Sequence, residues 1–270
     1  MPHPNMCKFL TDNLLSFSEL RMEKSANIFR FKRFDVINER SAMKVNTDGV
    51  LLGALMTVLP SDRHLLDIGT GTGTIALMAA QRLSDCMESM HQVSIDAIDI
   101  DHPSATEAAE NFRNSPWGGS LRAHHTSLDE FTISVQGQEF DLIFSNPPYF
   151  DNALNAPEQR RNAARHTSTG LSYREILDFS SSCLTENGRV AMVLPADTEH
   201  DLTRHARMNG LHLSKITRIR TVPRKAPKLI VAEFVKTRIE APQDTILTIQ
   251  NEGQYTQEYL SLMKEFYLFA

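Results

Sequence analysis

The stretch "LLDIGTGTGTIALMAA" at residues 65–80 constrains the fold more than any other part of the chain. An apolar run stops at three glycines, Gly69, Gly71 and Gly73, and a helical pattern begins at once. Glycine admits backbone conformations closed to other residues and lets the chain approach a ligand, while the helix start that follows presents unpaired N–H groups. The same order of elements then recurs. "VSIDAI" (93–98), "LRAHH" (121–125), "FDLIFS" (140–145) and "RVAMVLP" (189–195) read as further strands, with helical spacing over 74–83, 103–115 and 172–184 between them. Alternation of this kind predicts an α/β fold, with right-handed crossovers, a mostly parallel sheet and helices on both faces. A helix over 198–210 leads into 211–222 and 229–237, which read as an antiparallel pair at the sheet edge, so the expected sheet has seven strands. Residues 246–269 add a short strand and a final helix.

A chain of 270 residues that is 41% hydrophobic can bury one large core. Residues 1–26 are poorly patterned and read as an N-terminal extension; 27–240 read as the main domain, and 241–270 as a C-terminal strand and helix packed on it. Cys7, Cys86 and Cys183 are too scattered for a disulfide framework or a zinc site, so no metal and a cytoplasmic setting are expected. No apolar run approaches the roughly 18 residues that span a membrane, and a monomer is favoured. The net charge of −5 argues against non-specific coating of nucleic acid, yet residues 201–238 carry ten Lys or Arg against Asp201 and Glu233, a local charge of +8. Such a face suits phosphates.

The glycines alternate as G-x-G-x-G, whereas the dinucleotide fingerprint is G-x-G-x-x-G, and Asp67 stands two residues ahead of the first. A pyrophosphate gains nothing from an acid so near; a cationic amino-acid ligand does. The pattern resembles motif I of class I S-adenosylmethionine-dependent methyltransferases, which have a Rossmann-like fold and bind the methionine end of the cofactor near this acid. A nicotinamide-dependent oxidoreductase is the competing reading on the same fold. In "AIDID" (97–101), Asp99 matches the acid that accepts the ribose hydroxyls, and Asp101 reads as a helix N-cap ahead of Pro103. After the third strand, Ser127 and Leu128 fall where the family contacts the cofactor adenine. An acid is usual there, so Asp129 is the alternative if the loop register is shifted.

"NPPYF" follows the fourth strand and so opens onto the same crevice as the glycines. An amine conjugated to a ring is a poor nucleophile because its lone pair is delocalised. The amide oxygen of Asn146 and the carbonyl of Pro147 can each accept one of its protons, which favours a tetrahedral nitrogen. Pro147 and Pro148 lock φ and keep those carbonyls aimed, and Tyr149 offers a face for a flipped base. The sequence matches the (D/N/S)-P-P-(Y/F/W) signature of methyltransferases acting on amino groups attached to planar systems, which covers adenine N6, guanine N2 and the amide of a protein glutamine. Enzymes of the last kind carry a helical domain that the residues before His64 are too few to form.

Further stretches narrow the resemblance to bacterial tRNA1(Val) (adenine-37-N6)-methyltransferases. They are "FRFKRF" (29–34), "VNTDGVLLGA" (45–54) and the Arg165-His166-Thr167 of "ARHT". The resemblance covers residues 27–238. It implies S-adenosylmethionine as cofactor, with Thr47 and Asp48 beside its methionine part, and tRNA as partner. Arg30, Lys32 and Arg33 would form a cationic ribbon with stacking rings, unless "FRFKRF" is a plain edge strand. Arg160, Arg161, Arg165 and His166 would lie at base entry, and Arg220, Arg224, Lys225 and Lys228 on the loop that reaches tRNA. Ribosomal RNA or DNA as substrate, and a silent RNA-binding module, are the alternatives.

Overall fold

The computed structural model describes residues 27–149, 171–268 and 270. A short hairpin, β1 (Ile28–Arg30) and β2 (Asp35–Ile37), leads through a strap to helix α1 (Thr47–Leu55). The alternating pattern then follows as β3 (His64–Ile68), α2 (Thr74–Cys86), β4 (Ser94–Asp99), α3 (His102–Arg113), β5 (Leu121–His125), α4 (Leu128–Ser134) and β6 (Phe140–Ser145). After the segment outside the described residues come α5 (Tyr173–Cys183), β7 (Leu184–Pro195), α6 (Glu199–Met208), β8 (His212–Arg220) and β9 (Leu229–Val235). The chain ends in β10 (Gln243–Thr248), a small hairpin of β11 (Gln250–Asn251) and β12 (Gln254–Tyr255), and α7 (Gln257–Met263).

The main sheet has the order β10-β8-β9-β7-β6-β3-β4-β5, with only β9 antiparallel to its neighbours. Two expectations change. The sheet holds eight strands, because Gln243–Thr248 pairs in parallel with Lys215–Arg220 and takes the edge; and the antiparallel strand β9 is internal, because it lies between β8 and β7.

Strand residues alternate between two cores. One face packs Leu65, Leu142 and Phe144 under α1, α2, α3 and α7, through side chains such as Leu51, Leu77, Phe112 and Met263. The other packs Leu66, Ile143 and Val190 under α4, α5 and α6, through Phe131, Ile176 and Leu202. The parallel pairing brings the carboxyl ends of β3, β4, β6, β7 and β8 to one edge, where the crossover loops form a crevice.

The ribbon expected of "FRFKRF" does not form. Phe31 and Phe34 are buried and stack with centroids 4.5 Å apart, with Trp117 edge-on to Phe34, so their rings are closed to a base. Lys32 donates to the carbonyls of Lys264 and Ala270 at 2.6 and 2.9 Å. Arg33 pairs with Asp85 in the last turn of α2 and lies over Trp117. The alternation of Phe with Lys and Arg is that of a small hairpin, with apolar side chains inward and cations outward on local partners.

Candidate active site

The glycine loop runs from β3 into α2 with Gly69, Gly71 and Gly73 all at positive φ, between 57° and 81°. Gly73 is constrained twice, since a Cβ there would also lie 2.5 Å from the Phe112 ring. Asp67 is buried beneath the loop, its Oδ2 accepting from the Thr70 hydroxyl at 2.7 Å. Its Oδ1 has no partner among the described residues. Burial pushes the Asp67 pKa up to about 7, against the Thr70 hydrogen bond and with help from the Asp99 carboxylate. Asp99 ends β4 and accepts from the amides of Gly71 (2.8 Å) and Asp101 (2.9 Å), while desolvation raises its pKa as well. Each of its oxygens keeps a lone pair for a further donor. Asp101 caps α3, accepting from the Ser104 amide at 3.0 Å ahead of Pro103.

The opposite wall is a strap, residues 38–46, which joins the hairpin to the "VNTDGVLLGA" stretch. Glu107 of α3 is wholly buried and accepts from the amides of Glu39, Arg40 and Ser41, with the Arg40 guanidinium at 3.6 Å. Asn111 accepts from the Ile37 amide and donates to the carbonyls of Ile37 and Thr72, and so ties the start of the strap to the glycine loop. Asn46 then caps α1 by accepting from the Gly49 amide at 2.8 Å. The signal for this cap was present, an Asn just before an apolar run. Glu107 left none, because a buried carboxylate in a helix acquires its meaning from a segment about 66 residues earlier in the chain.

Thr47 and Asp48, in the first turn of α1, meet Asn146, Pro147, Pro148 and Tyr149 around a cavity of about 370 Å³ completed by Met43 and Asn46. Asn146 is 7% exposed, and its amide donates to the Met43 sulfur at 3.6 Å. A thioether only accepts, so the NH2 faces Met43 and the amide oxygen faces the mouth. There Tyr149 Oη lies 3.1 Å from that oxygen and 2.8 Å from Asp48 Oδ2. Desolvation first, then the Asp48 charge and hydrogen bond, drive the Tyr149 phenol well above its ordinary pKa. A larger cavity of about 420 Å³, around Pro60, Arg63 and Cys86, lies at the amino end of the sheet and contains none of these groups.

The Ser127 hydroxyl accepts from the Glu130 amide, and Glu130 returns a bond to the Ser127 amide, a capping box that starts α4. Leu128 is partly buried against the second core. Arg30 is exposed, with Asp35 4.0 Å from its guanidinium. Arg160, Arg161, Arg165 and His166 lie outside the described residues. The loop between β8 and β9 does reach the carboxyl edge: Arg220 donates to Thr248 Oγ1 and the Pro223 carbonyl and so shapes it. Arg224, Lys225 and Lys228 are exposed on it.

This geometry can be set beside known proteins. A family model described as the methyltransferase small domain matches residues 41–209. A curated tRNA1(Val) (adenine(37)-N6)-methyltransferase of Bacteroides fragilis is 38% identical over 90% of this chain and 99% of its own length. The chain belongs to this methyltransferase family. Another member, from Parabacteroides distasonis, is 39% identical over 89% of this chain and 97% of its own. Among solved structures, a predicted O-methyltransferase from Agrobacterium tumefaciens superposes with a TM-score of 0.60 at 14% identity, covering 81% of this chain and 96% of that one. A methyltransferase from Pyrococcus furiosus gives 0.51 at 20% identity, covering 74% and 89%. These two share the fold. In this chain the strap and α1 are the wall that faces the Asn-Pro-Pro-Tyr loop, and no described helix is long and apolar enough to cross a membrane.

Proposed function

We propose that the chain methylates the exocyclic N6 amine of an adenine in tRNA, with S-adenosylmethionine as methyl donor and adenine 37 of tRNA1(Val) as the target. The observation that carries this reading is the Asn146 amide oxygen, oriented toward the mouth at the carboxyl end of β6, one strand from the glycine loop. The names of the relatives supply the nucleotide and the tRNA. The crevice residues fit the cofactor: Asp67 and Asp99 are two acidic side chains with no lysine or arginine paired to them among the described residues, and a cationic amine near Asp67 would hold it ionised across a poorly solvated loop.

When bound, S-adenosylmethionine supplies an electrophilic methyl group on a sulfonium, and transfer to the amine forms an N–C bond as the S–C bond breaks. Asn146 Oδ1 and the Pro147 carbonyl hold the two amine protons and turn the nitrogen lone pair toward that methyl group. Neither is a base, so the departing proton passes to water. Tyr149 stacks on the extruded base, while Gly69, Gly71 and Gly73 let the loop backbone approach the cofactor. Arg30, Arg224, Lys225 and Lys228 meet tRNA phosphates, and a tRNA substrate places the enzyme in the cytoplasm. The test is incubation with labelled S-adenosylmethionine and tRNA lacking the modification, followed by mapping of N6-methyladenine. Asn146→Ala should lower kcat by about 100- to 1000-fold, the effect of removing one aimed hydrogen-bond partner of a transition state. Methylation of ribosomal RNA with none in tRNA would move the target, and unchanged kcat in the variant would remove the role of Asn146.

A further inference from the structure

Tyr149 Oη carries one proton and faces two acceptors, Asp48 Oδ2 at 2.8 Å and Asn146 Oδ1 at 3.1 Å. Only one can take it. The carboxylate is both closer and the stronger acceptor. If Asp48 were absent, the hydroxyl would turn its proton onto Asn146 Oδ1, the atom the substrate amine needs. Asp48 is placed for this by the strap and by the cap of α1. Asn46 caps the helix that carries it, and Glu107 and Asn111 fix the strap before that helix. A carboxylate in the first turn of α1 is also favoured by the unpaired amides there.

We propose that Asp48 is a positioning residue for methyl transfer: it holds the Tyr149 hydroxyl proton away from Asn146 and so keeps the Asn146 amide oxygen open to the substrate amine. The inference rests on the reading that Asn146 accepts from that amine. It makes a demand that a purely structural role for Asp48 does not: the damage from losing Asp48 must run through the Tyr149 hydroxyl.

The experiment measures kcat for methylation of unmodified tRNA by wild type, Asp48→Ala, Tyr149→Phe and the double variant. Asp48→Ala should fall about tenfold, the worth of one competing hydrogen bond. In the Asp48→Ala background, Tyr149→Phe should raise kcat again, toward the value of Tyr149→Phe alone. Cofactor affinity and melting temperature of Asp48→Ala report its folding; should its cooperative transition be lost, Asp48→Leu, which also lacks an acceptor, and its Tyr149→Phe double carry the same comparison. A double variant no faster than the Asp48 single variant overturns the proposal. Failure of the functional reading shows differently, as absence of adenine methylation by the wild type or indifference of kcat to Asn146→Ala.

Discussion

Buried carboxylates lie at both ends of the parallel strands, and they are treated in opposite ways. At the amino end, Asp62 is held by both terminal nitrogens of Arg189, with the two side chains 2% and 5% exposed. Glu233 nearby pairs with Lys215 at 3.1 Å and accepts from the Thr57 amide. At the carboxyl end, Asp67 and Asp99 have hydroxyl and amide donors, and no lysine or arginine pairs with either among the described residues. A fold closes the charges it needs only for itself, because an unpaired buried charge is expensive. Where the charges stay open, their pKa values rise, and that marks the end at which a cationic ligand is expected.

The largest effect should come from opening the closed end. Arg189→Met removes the guanidinium that also donates to the Thr57 and Asp141 carbonyls, and leaves Asp62 buried without a cation. Loss of about 3–5 kcal/mol of stability is expected by denaturant titration. A loss under 1 kcal/mol would mean that the two ends do not differ as described.

At the open end the same kind of change should spare stability and strike binding. The folded-state pKa of Asp67 lies above its unfolded value of 3.8, so the stability it contributes is full below about pH 4 and is lost as pH rises through about 7. Asp67→Asn lacks that loss, and should melt no lower than wild type at pH 8. Its affinity for S-adenosylmethionine at pH 8 should be about tenfold weaker, the order of one interaction with a charged group. At pH 6, where wild-type Asp67 is itself largely protonated, the gap should narrow. Calorimetric binding at the two pH values checks this; an equal gap at both would show that ionisation of Asp67 is not what the cofactor feels.

How legible each end was in the sequence follows the same division. The glycine loop, the capping role of Asp101 and the Asn-Pro-Pro-Tyr turn are local, fixed by residues within a few positions of one another, and they were readable along with the alternating strands. What escaped depends on distant partners. "FRFKRF" alternates as a surface ribbon would, and only Trp117 and the C-terminal segment, which close over Phe31 and Phe34, make it a packed hairpin. β10 is short, and its edge place depends on pairing with β8 across the intervening strand β9. The capping box of Ser127 with Glu130, three residues on, is local and legible, and it went unread beside the resemblance that assigns Ser127 to the cofactor adenine.

The smallest effect separates cations rather than acids. Of the basic residues between 201 and 238, Lys215 and Arg218 are engaged by acids within the fold, Arg218 by both Glu199 and Asp244. Lys225 stands on the exposed β8–β9 loop at the open edge without such a partner among the described residues. A cation already neutralised displaces few counterions when RNA binds; a free one displaces about one. Lys225→Ala should therefore flatten the slope of log affinity for tRNA against log salt by about 1, with kcat at saturating tRNA nearly unchanged. Lys215→Ala should leave that slope as it was and lower stability instead, since Glu233 would lose its cation. A slope that responds equally to both substitutions would place the RNA-facing charge elsewhere than at the open edge.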